Sequence, residues 1–230
     1  MTEIINVVNQ KHWYKSWWGV LLIFILLIFS SLFTASIFYV VAQINEIRNN
    51  PQINSVAGGQ VFQNTEGTDN YFLGSSQPKI TIVEFADFSC DHSKRSYPVI
   101  RNIVLKYNDR VKFIFRDYPY ISEGSLDLAQ AARCAGLQGL FWPMHDKLYQ
   151  NQDVTEKKDI AGLAVAAGVN REKFLLCMEN KQTLPAVRKN MADAEQFGVS
   201  GTPTWFVNGH KIAGDLPMET WEKIIEQLSK

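Results

Sequence analysis

The residues best suited to chemistry form the short segment Cys90-Asp91-His92-Ser93. A β-branched apolar run at 80–85 predicts a buried strand before it, and apolar residues at helical spacing follow it. Cys90 therefore opens a predicted helix, where unpaired backbone N–H groups and the helix dipole favour a thiolate over a thiol. His92 adds positive charge when protonated, whereas Asp91 opposes ionisation. The turn predicts an exposed, nucleophilic cysteine, and the alternative is a small apolar core cysteine.

The elements around this segment predict an α/β fold. A strand at 80–85, a helix through 97–107 and a strand at 111–115 form a βαβ unit. After a block of helical segments come two short strands joined by Asn208-Gly209, a hairpin turn signal, and a final helix. The helical block is predicted at 126–137, 142–149, 157–167, 171–178 and 184–197, the paired strands at 204–207 and 210–213, and the last helix at 217–228. The chain is thus predicted to form an α/β sheet that carries an inserted helical subdomain.

An uncharged apolar stretch at 17–42 predicts one N-terminal transmembrane helix. At about 1.5 Å per residue it would be about 39 Å long, enough to cross a hydrocarbon core of about 30 Å. A cleaved signal peptide is the alternative, with a poor cleavage site near Ala35. Lys11 and Lys15 precede the span, which predicts a cytoplasmic segment at 1–16 and an extracytoplasmic remainder, in the periplasm or at the cell surface.

The remaining chain is predicted to divide into a tether and one folded domain. Residues 43–70 are rich in Asn, Gln, Gly, Ser and Thr without sustained periodicity, which is typical of a tether. Residues 71–230 are numerous enough to bury a core of their own.

Composition excludes several function classes. The 23 basic and 23 acidic side chains balance, so no basic excess points to nucleic acid. Three cysteines are too few for a disulfide scaffold, and their odd number leaves at least one thiol without an internal partner. The histidines show no ligand spacing with the cysteines, so neither a metal nor another cofactor is expected; they are His12, His92, His145 and His210.

Several motifs, in one order, carry a family resemblance. They are Val83-Glu84-Phe85-Ala86-Asp87-Phe88-Ser89-Cys90-Asp91-His92-Ser93, then Gln130-Ala131-Ala132-Arg133-Cys134-Ala135, Gln138-Gly139-Leu140-Phe141-Trp142, and Gly198-Val199-Ser200-Gly201-Thr202-Pro203-Thr204-Trp205-Phe206-Val207-Asn208-Gly209. Together they resemble the DsbA-like thiol-disulfide oxidoreductases, and the resemblance covers about 73–230. It implies a thioredoxin-like fold with a helical insert at about 122–197.

The resemblance also implies roles for individual residues. Thr202 and Pro203 match the family's cis-proline loop, in which Thr202 would offer its main chain to an extended substrate peptide. Glu84 matches a buried acidic residue beneath the site, whose raised pKa lets it move protons; the alternative is a strand-edge carboxylate in water. Cys134 and Cys177 match an extra disulfide of some relatives, and the alternative is two separate buried thiols.

The sequence departs from the family at Ser93, where a second cysteine is usual. A hydroxyl cannot form a disulfide, so Cys90 can enter thiol exchange but cannot resolve its own adduct. Three explanations remain open: a natural monothiol enzyme resolved by an external thiol or a membrane redox partner, a Cys-to-Ser trapping variant of a dithiol oxidase, and a redox-impaired peptide-binding chaperone or adaptor. The first is the predicted function: a membrane-anchored protein that exchanges disulfides with cysteine-containing proteins. Its predicted catalytic residues are Cys90, His92, Ser93 and Glu84.

Overall fold

The computed structural model describes residues 17–48, 59–153 and 157–229. The predicted cytoplasmic segment 1–16 and residues 49–58 of the predicted tether lie outside the described residues. The chain divides into two compact units, residues 1–50 and residues 51–230.

The first unit is described by one long helix, α1 (Trp17–Arg48). Its apolar part, Trp17–Ala42, is long and apolar enough to cross a membrane. The large apolar side chains around the helix are exposed, and a helix that is apolar on all sides needs either protein or lipid around it. The helix is therefore a candidate membrane span, and it continues beyond the predicted end at 42.

The second unit is built on a sheet with the strand order β1-β3-β2-β4-β5. The central strand β2 pairs in parallel with β3 and antiparallel with β4, while β1 and β5 are antiparallel edge strands. Pairing on both sides and burial on both faces explain the nearly continuous apolar sequence of β2. The strands are β1 (Tyr71–Gly74), β2 (Ile80–Ala86), β3 (Val111–Asp117), β4 (Thr204–Val207) and β5 (His210–Ala213).

Seven further helices complete this unit in the described residues. Those predicted between β3 and β4 are all present, with ends that differ by at most one residue, so the order βαβ, helical insert, ββα agrees with the sequence. The helices are α2 (Asp91–Lys106), α3 (Ser125–Gly136), α4 (Phe141–Gln150), α5 (Lys157–Ala166), α6 (Arg171–Glu179), α7 (Leu184–Gln196) and α8 (Met218–Leu228).

Side chains alternate between the two faces of the sheet along β2, and this decides which of them point towards α2 and the insert. Ile82 belongs to the larger core cluster, which includes residues of α2, the insert and α8. Val83 and Phe85 belong to a smaller cluster on the opposite face, with Phe206. Since side chains two residues apart on a strand share a face, Glu84 points to the same side as Ile82, towards α2 and the insert.

Part of the predicted tether is folded into the second unit. The Phe62 ring packs edge-on against Phe206, with centroids 5.4 Å apart, and the Phe62 N–H donates to the Gly209 carbonyl at 2.9 Å. Thr65 is buried. The folded unit thus begins before the predicted boundary at 71. The sequence missed this because isolated apolar residues carry no periodic signal, although they cover an apolar face of the sheet.

Two sets of contacts hold the insert to the sheet and to itself. Cys134 of α3 and Cys177 of α6 are joined by a disulfide, with their Cα atoms 5.8 Å apart. The buried Arg133 guanidinium forms an ion pair with Asp117 at the end of β3, and the Asn190 side-chain amide donates to the same carboxylate at 3.2 Å. These contacts fix α3 and α7 against β3.

Candidate active site

Cys90 lies where the chain leaves the central strand and enters α2. Its N–H donates to the Asp87 carbonyl at 3.0 Å, and its own carbonyl accepts the first helical hydrogen bond from the Lys94 N–H at 2.9 Å. With φ −87° and ψ 122°, Cys90 is the extended N-cap residue of α2. The sulfur is therefore beside the positive end of the helix, as the sequence predicts.

The exposure predicted for Cys90 is wrong in this structure. The residue is 4% exposed, and the loop before β4 lies against its sulfur. Its Sγ donates a hydrogen bond to the Thr202 carbonyl at 3.2 Å, and the Thr202–Pro203 peptide bond is cis. The structure thus brings the main chain of the cis Thr202–Pro203 loop to the thiol.

Asp87 organises the turn from beneath. Its buried carboxylate accepts hydrogen bonds at 2.8 Å from the backbone N–H groups of Ser89, Tyr120 and Ile121. The turn that carries the cysteine is thereby joined to the loop after β3. Sequence reasoning did not single out Asp87; the available signal was an Asp two residues before Ser89, the spacing of an Asx turn.

Gln152 reaches the same turn from the insert. Its side-chain amide donates to the Phe88 carbonyl at 2.8 Å and to the Cys90 carbonyl at 3.0 Å. Nothing in the sequence around Gln152 indicated this contact, because it joins residues more than 60 positions apart.

His92 is on the exposed side of α2, with 58% of its side chain accessible. Its Nδ1 lies 3.0 Å from Asp215 Oδ1, and the Arg95 Nε donates to the other oxygen of Asp215 at 3.0 Å. The hydrogen bond with His92, followed by the one from Arg95, lowers the pKa of Asp215. Nothing in the sequence indicated Asp215. Because its carboxylate lies 3.0 Å from His92 Nδ1, it would partly neutralise a positive charge on His92.

Glu84 lies buried beneath the site rather than at a solvent-facing edge. It is 1% exposed, and neither carboxyl oxygen has a hydrogen-bond partner among the described residues. Burial removes the solvation of the carboxylate and raises the pKa of Glu84 well above its usual value, and the nearby Cys90 adds to the rise. Glu84 therefore holds a proton under conditions in which an exposed glutamate is ionised.

Ser93 and Tyr149 occupy the interior between α2 and the insert. Ser93 is fully buried in the first turn of α2. Burial raises the pKa of Tyr149 well above its usual value, and the nearby Glu84 adds to the rise. The buried side of the site thus holds a phenol, a hydroxyl and a carboxyl group whose pKa is raised.

This arrangement can perform the chemistry of one thiol. Cys90 is the free cysteine of the described residues, and Ser93 places a hydroxyl one helical turn away. A thiolate at Cys90 can form one mixed disulfide, but the turn offers no second sulfur to release it. Within the described ranges, no group of three or more His, Cys, Asp or Glu is arranged to hold a metal ion.

Comparisons with known proteins agree with this geometry. A family model described as Thioredoxin matches residues 65–227. The thiol-disulfide exchange protein alpha-DsbA2 from Wolbachia pipientis is 18% identical, with a TM-score of 0.67 over 79% of this chain and 97% of that one. A periplasmic thioredoxin-like protein from Salmonella enterica serovar Typhimurium is 25% identical, with a TM-score of 0.60 over 79% of this chain and 98% of that one. The thioredoxin-like fold that the resemblance implies is confirmed.

Curated relatives match only through part of their length. The Na(+)/H(+) antiporter NhaA 1 of Mycolicibacterium vanbaalenii is 30% identical over 161 residues, which are 68% of this chain and 26% of that protein. The chain spans about a quarter of the length of the curated relatives it matches.

Proposed function

Since the chain belongs to the family described as Thioredoxin, we propose that it is a membrane-anchored thiol-disulfide oxidoreductase that acts through the single thiol of Cys90. The observation that carries the proposal is the contact of Cys90 Sγ with the Thr202 carbonyl, 3.2 Å away, at the start of a helix. It places a sulfur beside a main-chain edge to which an extended polypeptide can pair. Its substrates are cysteine-containing proteins.

The exchange reaction moves one disulfide at a time. The Cys90 thiolate attacks one sulfur of a substrate disulfide, so a new S–S bond forms at Cys90 while the old bond breaks and its second sulfur leaves as a thiolate. A thiolate from outside the site, from a small thiol or a membrane redox partner, then attacks the mixed disulfide and releases Cys90. Because the pKa of Glu84 is raised, its carboxyl group can exchange a proton with the sulfur in these steps.

Substrate binding also accounts for reaction at a covered sulfur. In the free protein the Thr202 carbonyl accepts a hydrogen bond from the Cys90 thiol. An extended peptide whose N–H pairs with that carbonyl would compete for the acceptor, and the thiol would lose its partner when the peptide arrives. The sulfur would then be freed where the substrate cysteine is seated.

The proposed location is outside the cytoplasm, with the N-terminus inside. α1 supplies the candidate anchor, and Lys11 and Lys15 precede it in the sequence. The Cys134–Cys177 disulfide fits an oxidising compartment, since disulfides persist there and are rare in the cytosol. A relative from Salmonella enterica that is named periplasmic supports the same location.

A peptide-binding chaperone or adaptor without redox turnover is the second candidate. It is favoured by the 4% exposure of Cys90 together with the hydroxyl at Ser93. Such a protein would keep the edge at Thr202 and bind extended peptides without forming a disulfide.

Adduct formation distinguishes the two candidates. The folded full chain, in detergent micelles, is incubated with a peptide whose cysteine is in a mixed disulfide with glutathione, and intact mass is measured before and after reduction. We expect a reducible adduct at Cys90 that is absent from Cys90→Ala. Adducts that form only after unfolding in urea would reject the exchange function and favour the binder.

A further inference from the structure

Gln152 connects the helical insert to the turn that carries the thiol. It follows α4, and one side-chain nitrogen donates to both the Phe88 and the Cys90 carbonyls, at 2.8 Å and 3.0 Å. An amide group has two N–H donors, so these two bonds use its full donor capacity. Gln152 is partly buried, and it thereby contacts two carbonyls of the turn, that of Phe88 and that of Cys90 itself.

The contact acts on the group that sets the direction of the sulfur. The Cys90 carbonyl also accepts the Lys94 N–H at 2.9 Å, so it is held by two donors from different elements. Fixing both flanking carbonyls fixes the extended N-cap conformation of Cys90, on which the direction of Sγ towards Thr202 depends.

The same contact has an electrostatic consequence. The carbonyl oxygen of Cys90, on the residue that carries the sulfur, has partial negative charge, which disfavours a thiolate there. An N–H donor placed on this oxygen offsets part of that charge, and the low dielectric around a buried group makes the effect larger than in water.

We infer that Gln152 is a positioning residue for Cys90: its side-chain amide holds the Phe88 and Cys90 carbonyls of the thiol turn, and so sets the orientation and the reactivity of the sulfur. The consequence for disulfide exchange rests on the proposed function, whereas the effect on the thiol itself does not. The insert thus tunes the reactivity of a cysteine that lies outside it in the sequence.

Two substitutions separate donation from charge. Gln152→Glu keeps the size of the side chain but replaces the donor with a carboxylate, which cannot donate and adds negative charge near the sulfur. Gln152→Ala removes the donor without adding charge. The matched control is Gln138→Ala, because Gln138 is also in the insert and bonds Asn170 instead, accepting from its N–H at 2.9 Å.

The readout is the rate at which iodoacetamide alkylates Cys90 in the folded full chain, measured as a function of pH, with near-ultraviolet circular dichroism to verify folding. Cys90 is the free cysteine among the described residues, and the disulfide protects the other two cysteines. We expect Gln152→Glu to slow alkylation about tenfold near neutral pH, which is an upward displacement of the profile by about one unit. Gln152→Ala should slow it about fivefold.

The outcomes are distinct. Profiles of both folded Gln152 variants that superimpose on that of the unsubstituted protein would overturn the inference, as would an equal displacement in Gln138→Ala. Displaced profiles with no exchange in any protein, including the unsubstituted one, would support the positioning role and reject the proposed function. Disulfide exchange together with unchanged alkylation profiles would support the proposed function and reject the positioning role. Should Gln152→Ala not fold, Gln152→Glu alone decides, since it preserves the packing volume.

Discussion

The Sγ atom of Cys90 and the main-chain oxygen of Thr202 are 3.2 Å apart, although 112 residues separate them in the sequence. The contact joins the start of α2 to the loop before β4, so the proposed nucleophile and the proposed peptide-binding edge form one site. It also covers the sulfur. A reactive group that is shielded until a peptide takes the Thr202 carbonyl would avoid adventitious adducts.

Restoring a second thiol should restore an internal disulfide. Ser93 is buried in the first turn of α2, one turn from Cys90, so a thiol there would face the same interior. We expect Ser93→Cys, after mild oxidation, to lose two hydrogens by intact mass and to protect Cys90 from alkylation. Ser96→Cys is the control, because it lies on the same buried side of α2 but one turn further. Two thiols that remain free in Ser93→Cys would show that the turn cannot close a disulfide.

Glu84 should make stability fall as pH rises. Its pKa is near 4.5 in the unfolded chain and well above that in the folded protein. Between the two pKa values, Glu84 is ionised only in the unfolded state. The stability that Glu84 contributes is therefore fully present below about pH 4.5 and is lost as pH rises through the folded pKa, by about 1.4 kcal/mol for each pH unit between the two pKa values. Urea unfolding of the unsubstituted protein and of Glu84→Gln at several pH values measures this difference.

The difference in unfolding free energy between Glu84→Gln and the unsubstituted protein should therefore grow with pH. A difference that stays constant across this range would mean that Glu84 is ionised in the folded protein.

Removing the insert disulfide should cost stability without abolishing chemistry. The Cys134–Cys177 bond closes a loop with a sequence separation of 43. On the chain-entropy model, losing it lowers the free energy of unfolding by about 4 kcal/mol. Urea unfolding of the Cys134→Ala/Cys177→Ala double variant tests this, and adduct formation at Cys90 in the folded variant should persist. Loss of the adduct in a variant that remains folded would give the disulfide a direct part in exchange.

The buried pair of Arg133 and Asp117 should be sensitive to removal of one partner. Both side chains are at most 4% exposed, so Arg133→Ala leaves a buried carboxylate without its cation. We expect Arg133→Ala to lower the free energy of unfolding by about 3–5 kcal/mol, and the double variant Arg133→Met/Asp117→Asn to recover part of that loss. The exposed Arg171 of α6 gives the control, since Arg171→Ala should change stability by no more than about 0.5 kcal/mol. Equal effects of Arg133→Ala and Arg171→Ala in urea unfolding would contradict the prediction.

The N-terminal helix should act as an uncleaved anchor. After alkaline carbonate treatment of membranes, we expect the full chain to stay in the pellet, because the apolar stretch Trp17–Ala42 of α1 can span the bilayer. A chain lacking residues 1–50 should be released. Full-length expression that yields a soluble chain shortened near Ala35 would instead identify a cleaved signal peptide.

Much of the architecture could be predicted because its signals are local. The helices of the insert follow from apolar residues at helical spacing, and Cys90 at a helix start follows from a strand that ends a few residues earlier. The Asn208-Gly209 turn has positive φ at both residues, 48° and 83°, as the dipeptide predicts for a tight hairpin. Strand β1 was missed, since four residues carry too short a pattern, and its pairing with β3 is what forms it.

The sequence by itself determined the order of elements, the place of the Cys90 thiol at a helix start with a hydroxyl at Ser93, and the apolar N-terminal stretch. Only the tertiary structure decided what surrounds that thiol: the covering carbonyl of Thr202, the amide of Gln152, and Asp215 beside His92. The reason is that periodicity, capping and turn preferences act over a few residues, whereas these contacts join positions more than 60 residues apart. Their geometry exists only once β2 and β4 pair and the insert packs against α2.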